Sequence, residues 1–264
     1  MNIGMIGYGN MGTALCQAWL RHPQYFIHAA APSLHAEQSQ PRLSMQTSNK
    51  ALLKKVDVLI LAVKPAQMAT VLAEIRHDLP PTVLVISVAA GLDFHWFAQH
   101  LPPNTPVVRA IPNLAAAHGQ SATPLIANAW VTPLQQQLAT DLFQQCGSIA
   151  WISKEQDLDI ITALAGSGLA YIFLFVQAMC DSAVTLGLTK DTARAFALQT
   201  LVGAASLAAA SEQNLHTLQQ QITSKAGTTA AALEIFTQYQ LQEIVFTAMN
   251  AAVTRSQTLR REES

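Results

Sequence analysis

The chain has little charge. Of its 264 residues only 12% are Asp, Glu, Lys or Arg, against roughly 25% in an ordinary soluble domain. Its 15 Lys and Arg oppose 16 Asp and Glu, for a net charge of -1. That balance leaves no basic face for a phosphate backbone, so a nucleic-acid partner is not expected. Cysteine is scarce as well. Cys16, Cys146 and Cys180 are odd in number and widely spaced, which gives neither a disulfide framework nor a metal-type pair. They read as small buried hydrophobes in a reducing compartment, the cytoplasm, and no metal is expected. Long apolar runs are missing too. The longest, residues 169–179, falls far short of the roughly 20 residues of a membrane span. The N-terminal segment has no basic stretch and reaches Gly9 with three glycines, unlike a signal peptide. Neither a membrane nor a secretory route is expected. What is abundant is apolar surface, with 50% of residues hydrophobic. That excludes a disordered chain, and with so few charges to coat a monomer it argues for a large subunit interface.

The apolar residues are arranged differently in the two halves. Up to about residue 153, short Val- and Ile-rich runs at 2–6, 26–30, 56–63, 82–88, 107–111, 123–127 and 149–152 alternate with helical segments at 12–21, 66–77, 94–100 and 133–145. Near-continuous apolar strands are the mark of parallel strands covered on both faces, and the alternation predicts an α/β, doubly wound sheet. Beyond Lys154 the Val/Ile runs stop, and Ala, Leu, Gln and Thr predict long helices at 169–186, 191–211, 228–237 and 241–259. Small residues on nearly every face, as in 203–211, allow close helix approach and burial. The expected organisation is residues 1–154 as one domain and 155–264 as an all-α domain that packs on its copy in another subunit.

Gly7-Tyr8-Gly9-Asn10-Met11-Gly12 is a G-x-G-x-x-G placed between a strand ending at Ile6 and a helix, the context a dinucleotide fingerprint requires. The first glycine allows the tight turn and the second lets backbone approach the pyrophosphate. The third permits close helix–strand packing, and the helix start offers free N–H groups. Where a site for NAD places an acid at the end of the second strand, the chain reads Ala29-Ala-Ala-Pro-Ser33-Leu-His35. Without a carboxylate to repel a 2′-phosphate, NADP is favoured over NAD, with Ser33 as a donor. Ala62-Val63-Lys64-Pro65 and Val88-Ala89-Ala90 end two further strands, where ligands of such sheets bind. Lys64 is placed to reach a phosphate or ribose, and Pro65 to start a helix.

Several longer motifs carry a resemblance. The runs Thr162-Ala-Leu-Ala-Gly-Ser-Gly-Leu-Ala-Tyr171, Gln199-Thr-Leu-Val-Gly-Ala-Ala205 and Ile222-Thr-Ser-Lys-Ala-Gly-Thr-Thr229 look like signatures of the pyrroline-5-carboxylate reductases. Gly9–Gly12, Val63-Lys64-Pro65 and Val108-Arg109-Ala-Ile-Pro112-Asn113 stand in the same family order. The resemblance implies a Rossmann-type domain followed by an all-α dimerisation domain, in a homodimer or a higher homo-oligomer. It also implies reduction of 1-pyrroline-5-carboxylate to L-proline, the last step of proline biosynthesis, with the small-molecule substrate at the subunit interface. At matching positions it implies Glu155, Thr162, Glu212, Ser224, Gly227, Thr228 and Thr229 around the substrate. Ile6 to Met11, Ser33, Asn49, Ala62 to Pro65 and Val88 to Ala90 would surround the cofactor.

The residues make chemical sense of this. A small polar loop from Ser224 to Thr229 opening a helix suits a carboxylate, although an N-cap at Thr228 or Thr229 would produce the same pattern. A protonated imine accepts hydride readily and takes its proton from solvent, so the protein's task is orientation. Thr162 is the candidate hydroxyl for the ring nitrogen, and Glu212 a carboxylate that favours the iminium cation. The chain departs from the family at Leu114-Ala115, Leu169 and Lys225-Ala226, where Thr-Pro, Pro and Pro-Gly respectively are usual; Lys225 alternatively adds positive charge near an anionic substrate. Loss of Pro and Gly is expected to loosen the substrate loop. Two other readings remain at this point: a hydroxy-acid dehydrogenase of similar architecture, which would need a positioned Lys or His base, and an NADP-binding relative with weakened catalysis.

Overall fold

A computed structural model describes residues 1–262, so the last two residues of the expected helical domain lie outside the described residues. The chain divides into two compact units. One is Met1–Gly166 together with the end of the chain from Ala252, and the other is Ser167–Ala251.

The first unit is built on an eight-stranded sheet. Strands β1 (Asn2–Ile6), β2 (Phe26–Ala30), β3 (Leu43–Gln46), β4 (Val58–Leu61), β5 (Leu84–Ser87), β6 (Val107–Ala110), β7 (Ser121–Ala127) and β8 (Gly147–Trp151) lie in the order β3-β2-β1-β4-β5-β6-β7-β8. The pairs are parallel except β6–β7. Strand order reverses at β1, which opens a crevice between β1 and β4 at their carboxyl ends.

The apolar runs alternate between two covered faces. Ile3, Met5, Val58 and Ile60 pack on one side with Leu15, Trp19, Leu142 and Phe143 from helices α1 (Asn10–Leu20) and α5 (Pro133–Gln144). Ile6, Leu59 and Leu61 pack on the other, with Met68, Leu72, Ile75, Trp96 and Phe97. Those side chains come from α3 (Pro65–Ile75) and α4 (Phe94–His100), and α2 (Asn49–Leu52) follows β3. Cys16 and Cys146 belong to this core, and burial raises both thiols, Cys146 to about 12. They stay protonated near neutrality, as small hydrophobes do.

Strand β3 has no counterpart in the sequence reading. Its four residues, Leu-Ser-Met-Gln, alternate buried and partly exposed at the sheet edge, and so short a run carries too little periodicity to be read. The edge is held from outside, because Arg42, at φ 66°, donates through its guanidinium to the carbonyls of Leu20 and His22.

After β8 the first unit continues through α6 (Asp157–Ile161) into one turn of π-helix, Thr162–Gly166. The second unit then contains α7 (Gly168–Thr185), α8 (Lys190–Ala209), α9 (Leu215–Gln221), α10 (Thr228–Gln238) and the first half of α11 (Leu241–Glu262). Gly187 at φ 110° turns the chain between α7 and α8. Few of the unit's apolar side chains are covered. Leu174, Phe196 and Phe246 are 73%, 71% and 64% exposed, so this unit does not complete a core within one chain.

The expectation of no membrane segment rested on residues 169–179 alone. The structure extends that run to Asp157–Thr185, one helical stretch long and apolar enough by length and composition to cross a membrane.

Candidate functional site

Three turns meet at the carboxyl ends of β1, β4 and β5, stitched by backbone hydrogen bonds. Gly7 N–H donates to Ala30 O at 2.9 Å, Ala62 N–H to Ile6 O at 2.8 Å and Val88 N–H to Leu61 O at 3.0 Å. Gly7 sits at φ +94°, and a Cβ there would lie 2.6 Å from Ala62 O. On Gly12 it would lie 2.5 Å from Gly7 O. These two glycines are fixed by backbone geometry. Gly9 differs, because its φ of -82° suits any residue and a Cβ would meet nothing within 4 Å. It caps α1 without a side-chain hydrogen bond and is exposed. The α1 start therefore presents its first N–H groups, together with the positive end of the helix dipole, to open space. An anionic diphosphate fits that concavity.

Beside it lies a cavity of 290 Å³ lined by Ile6, Gly7, Ala30, Ala31, Asn49 and Val63 among others. Asn49 donates its amide to Glu74 of α3 at 2.8 Å, a partner that no motif in the sequence announced. Leu34 N–H closes a turn on Ala31 O at 3.0 Å, leaving Ser33 exposed at its apex. Lys64 is the exposed N-cap of α3, with Pro65 at the first helical position. Of the residues assigned to the cofactor from sequence, Ile6, Gly7, Asn49 and Val63 line this one cavity at the strand ends. Tyr8 is half-buried, and its phenol is shifted upward by burial first and then by Cys16, so it stays neutral and donor-capable.

Thr162, still in this unit, opens the π-helical turn and donates its hydroxyl to Leu158 O at 2.6 Å. A carbonyl only accepts, so the hydroxyl proton is committed and the oxygen offers lone pairs alone. Such turns are frequent at functional sites. Asn113 holds this one by donating to Ala165 O at 3.0 Å. Glu155 is not an open carboxylate. Its Oε1 accepts from Arg109 Nη1 at 2.6 Å and from Phe94 N–H at 2.9 Å.

The second unit holds the remaining sequence-assigned residues. Glu212 is exposed in the bend between α8 and α9, and the Gln221 amide reaches back to Gln213 at 2.7 Å, tying that bend to the segment before Ser224. Gly227 N–H closes a turn on Ser224 O at 3.1 Å, and Gly227, not Thr228 or Thr229, is the N-cap of α10. The cap lacks a side-chain acceptor, so the two threonines stand in the first turn beside unclaimed N–H groups. Within that turn Ala226 takes φ 59°. Replacement of a usual glycine has therefore not loosened the loop. The left-handed turn is kept with an alanine in it, at a cost of about 1 kcal/mol. Ala226→Gly is expected to raise stability by roughly 0.5–1 kcal/mol, or ~2 °C in Tm, read by thermal unfolding. An unchanged or lower Tm would contradict the strain.

A glycine turn on a helix start, at the switch point of a parallel sheet and followed by a helical unit with an open apolar face, defines a dinucleotide-dependent oxidoreductase with a separate helical domain. Residues 2–91 match a family model described as NADP oxidoreductase, coenzyme F420-dependent, and residues 155–259 match one described as pyrroline-5-carboxylate reductase dimerisation. A pyrroline-5-carboxylate reductase of Pseudomonas aeruginosa is 37% identical over 97% of this chain and 96% of its own length. Solved structures of the enzymes of Plasmodium falciparum, with NADP bound, and Coxiella burnetii superpose with TM-scores of 0.90 and 0.88. They are 28% and 34% identical, and each comparison covers 98% of both chains. The chain belongs to the pyrroline-5-carboxylate reductase family.

Proposed function

We infer that the chain reduces 1-pyrroline-5-carboxylate to L-proline with NADPH. The observation that carries this reading is the pairing of a phosphate-binding turn built from backbone with a second unit that opens a helix through Ser224, Gly227, Thr228 and Thr229. When bound, the nicotinamide supplies the hydride. Helix α1 and Gly9 hold the pyrophosphate, Lys64 and Ser33 the phosphate and ribose end, and Asn49 the adenosine side of the cavity. The edge of β2 has no carboxylate before Glu37, which supports the preference for NADPH over NADH.

The substrate carboxylate is held by Ser224, Thr228, Thr229 and the α10 start. Thr162 accepts from the ring N–H. With its own proton on Leu158, it suits a nitrogen already protonated and cannot act as the acid. The imine nitrogen is therefore protonated from solvent, the neighbouring carbon receives the hydride, and the C=N electron pair returns to nitrogen as the amine of proline. Glu212 adds negative charge that favours the iminium.

The chain acts as a homodimer through its helical second unit, whose apolar faces are left open in one chain, and it resides in the cytoplasm, where its three free thiols suit a reducing environment. Steady-state reduction of pyrroline-5-carboxylate with each nicotinamide in parallel tests the reading. NADPH is expected to give the higher kcat/KM, and cofactor binding without turnover would overturn it. Thr229→Ala is expected to raise KM for the imine about tenfold with a smaller change in kcat. Unaltered kinetics would remove the carboxylate assignment.

A further inference from the structure

Arg109 lies on β6 inside an otherwise apolar run and is only 2% exposed. Its guanidinium is shifted downward by burial, opposed by Glu155, and a charge so placed is retained only with a partner. The partner, Glu155, is spent twice on one oxygen, toward Arg109 and toward Phe94 N–H. Phe94 is the first residue of α4, directly after the N-cap Asp93, so Glu155 satisfies an orphan donor at a helix start. That helix follows the turn that runs from Val88 to Gly91. Gly91, at φ +82°, faces Leu259 of α11, which a Cβ there would meet at 3.6 Å. Four residues beyond Glu155, Asp159 is 5% exposed, accepts from Ser256 at 2.7 Å and pairs with Arg260. The same face of one short segment therefore grips β6 and the α4 start with one carboxylate, and the end of α11 with the other. Between them lies the turn assigned to the cofactor.

We propose that Glu155 is a positioning residue for the cofactor, acting through Phe94 and Arg109 on the 88–91 turn, and is not a contact of the substrate. The inference rests on the assignment of that turn to NADPH. Substitution of the carboxylate by a neutral amide weakens the hydrogen bonds to Arg109 and Phe94 without removing a group from the substrate pocket. Glu155→Gln is expected to raise the Kd for NADPH about fivefold, with KM for pyrroline-5-carboxylate changed less than about threefold.

The titration uses quenching of intrinsic fluorescence by NADPH alone, without the imine, so it is read whether or not the parent turns over that substrate. Failure of the parent in the turnover assay would count against the proposed function, not against this pairing. Arg109→Lys keeps the charge but loses the planar fork, and it is expected to follow the same pattern if Glu155→Gln does not fold. NADPH affinity within about threefold of the parent in a folded variant overturns the proposal, as does a larger effect on KM for the imine than on Kd for NADPH.

Discussion

Gly7→Ala is expected to abolish measurable NADPH binding, with an affinity loss of at least about a hundredfold, or roughly 3 kcal/mol. Two effects add. At φ +94° an L-residue is strained, and the new Cβ would press on the backbone of Ala62 and Val63 at 2.6–2.8 Å, where no flexible side chain can give way. The turn must open, and it carries both the α1 start and the hydrogen bond from Gly7 to Ala30. Stability falls as well. Gly9→Ala is the informative contrast, because its Cβ enters empty space. Its Tm should match the parent while NADPH binds about tenfold more weakly, since the methyl projects where backbone must approach the pyrophosphate. Tight binding by Gly9→Ala would show that the diphosphate does not lie against this turn.

Thr162→Val is expected to lower kcat about thirtyfold, equivalent to roughly 2 kcal/mol of lost hydrogen bonding to a charged group, with a smaller change in KM. Valine keeps the branched shape, and it loses only the bond to Leu158 within the helix, so Tm should move little. The effect should be largest on the hydride-transfer step, where the proposed role of the Oγ1 lone pairs is to align the iminium N–H. Steady-state and single-turnover rates check this. A variant with parental kcat would leave Thr162 as no more than an internal helix contact.

The strand, glycine turn and helix at the front of the chain were legible in the sequence because their requirements are local. A strand, three glycines and a helix follow within twelve residues, and two Val/Ile runs end in short turns. The edge strand Leu43–Gln46 was not legible, since four alternating residues do not distinguish a strand from a loop. Asp159 with Ser256 and Arg260 could not be read either. The pairs span 97 and 101 residues, and nothing near Ser256 or Arg260 marks either as a partner of Asp159. Arg109 did leave a trace, a lone cation in a strand of apolar residues, although its partner 46 positions away cannot be inferred from that. In the substrate loop, loss of glycine at 226 suggested freedom, and the chain instead holds an alanine in the left-handed region because Gly227 must still reach Ser224. The π-helical turn at Thr162 has no propensity signature, and its Asn113 anchor comes from another strand end.

The most direct test of the account follows the hydride itself. With NADPH deuterated at the transferred position of the nicotinamide and pyrroline-5-carboxylate as acceptor, the product should be L-proline carrying one deuterium at C5 for each cofactor oxidised. Oxidation of the cofactor with no deuterium in proline, or no proline at all, would contradict hydride transfer between the two assigned sites.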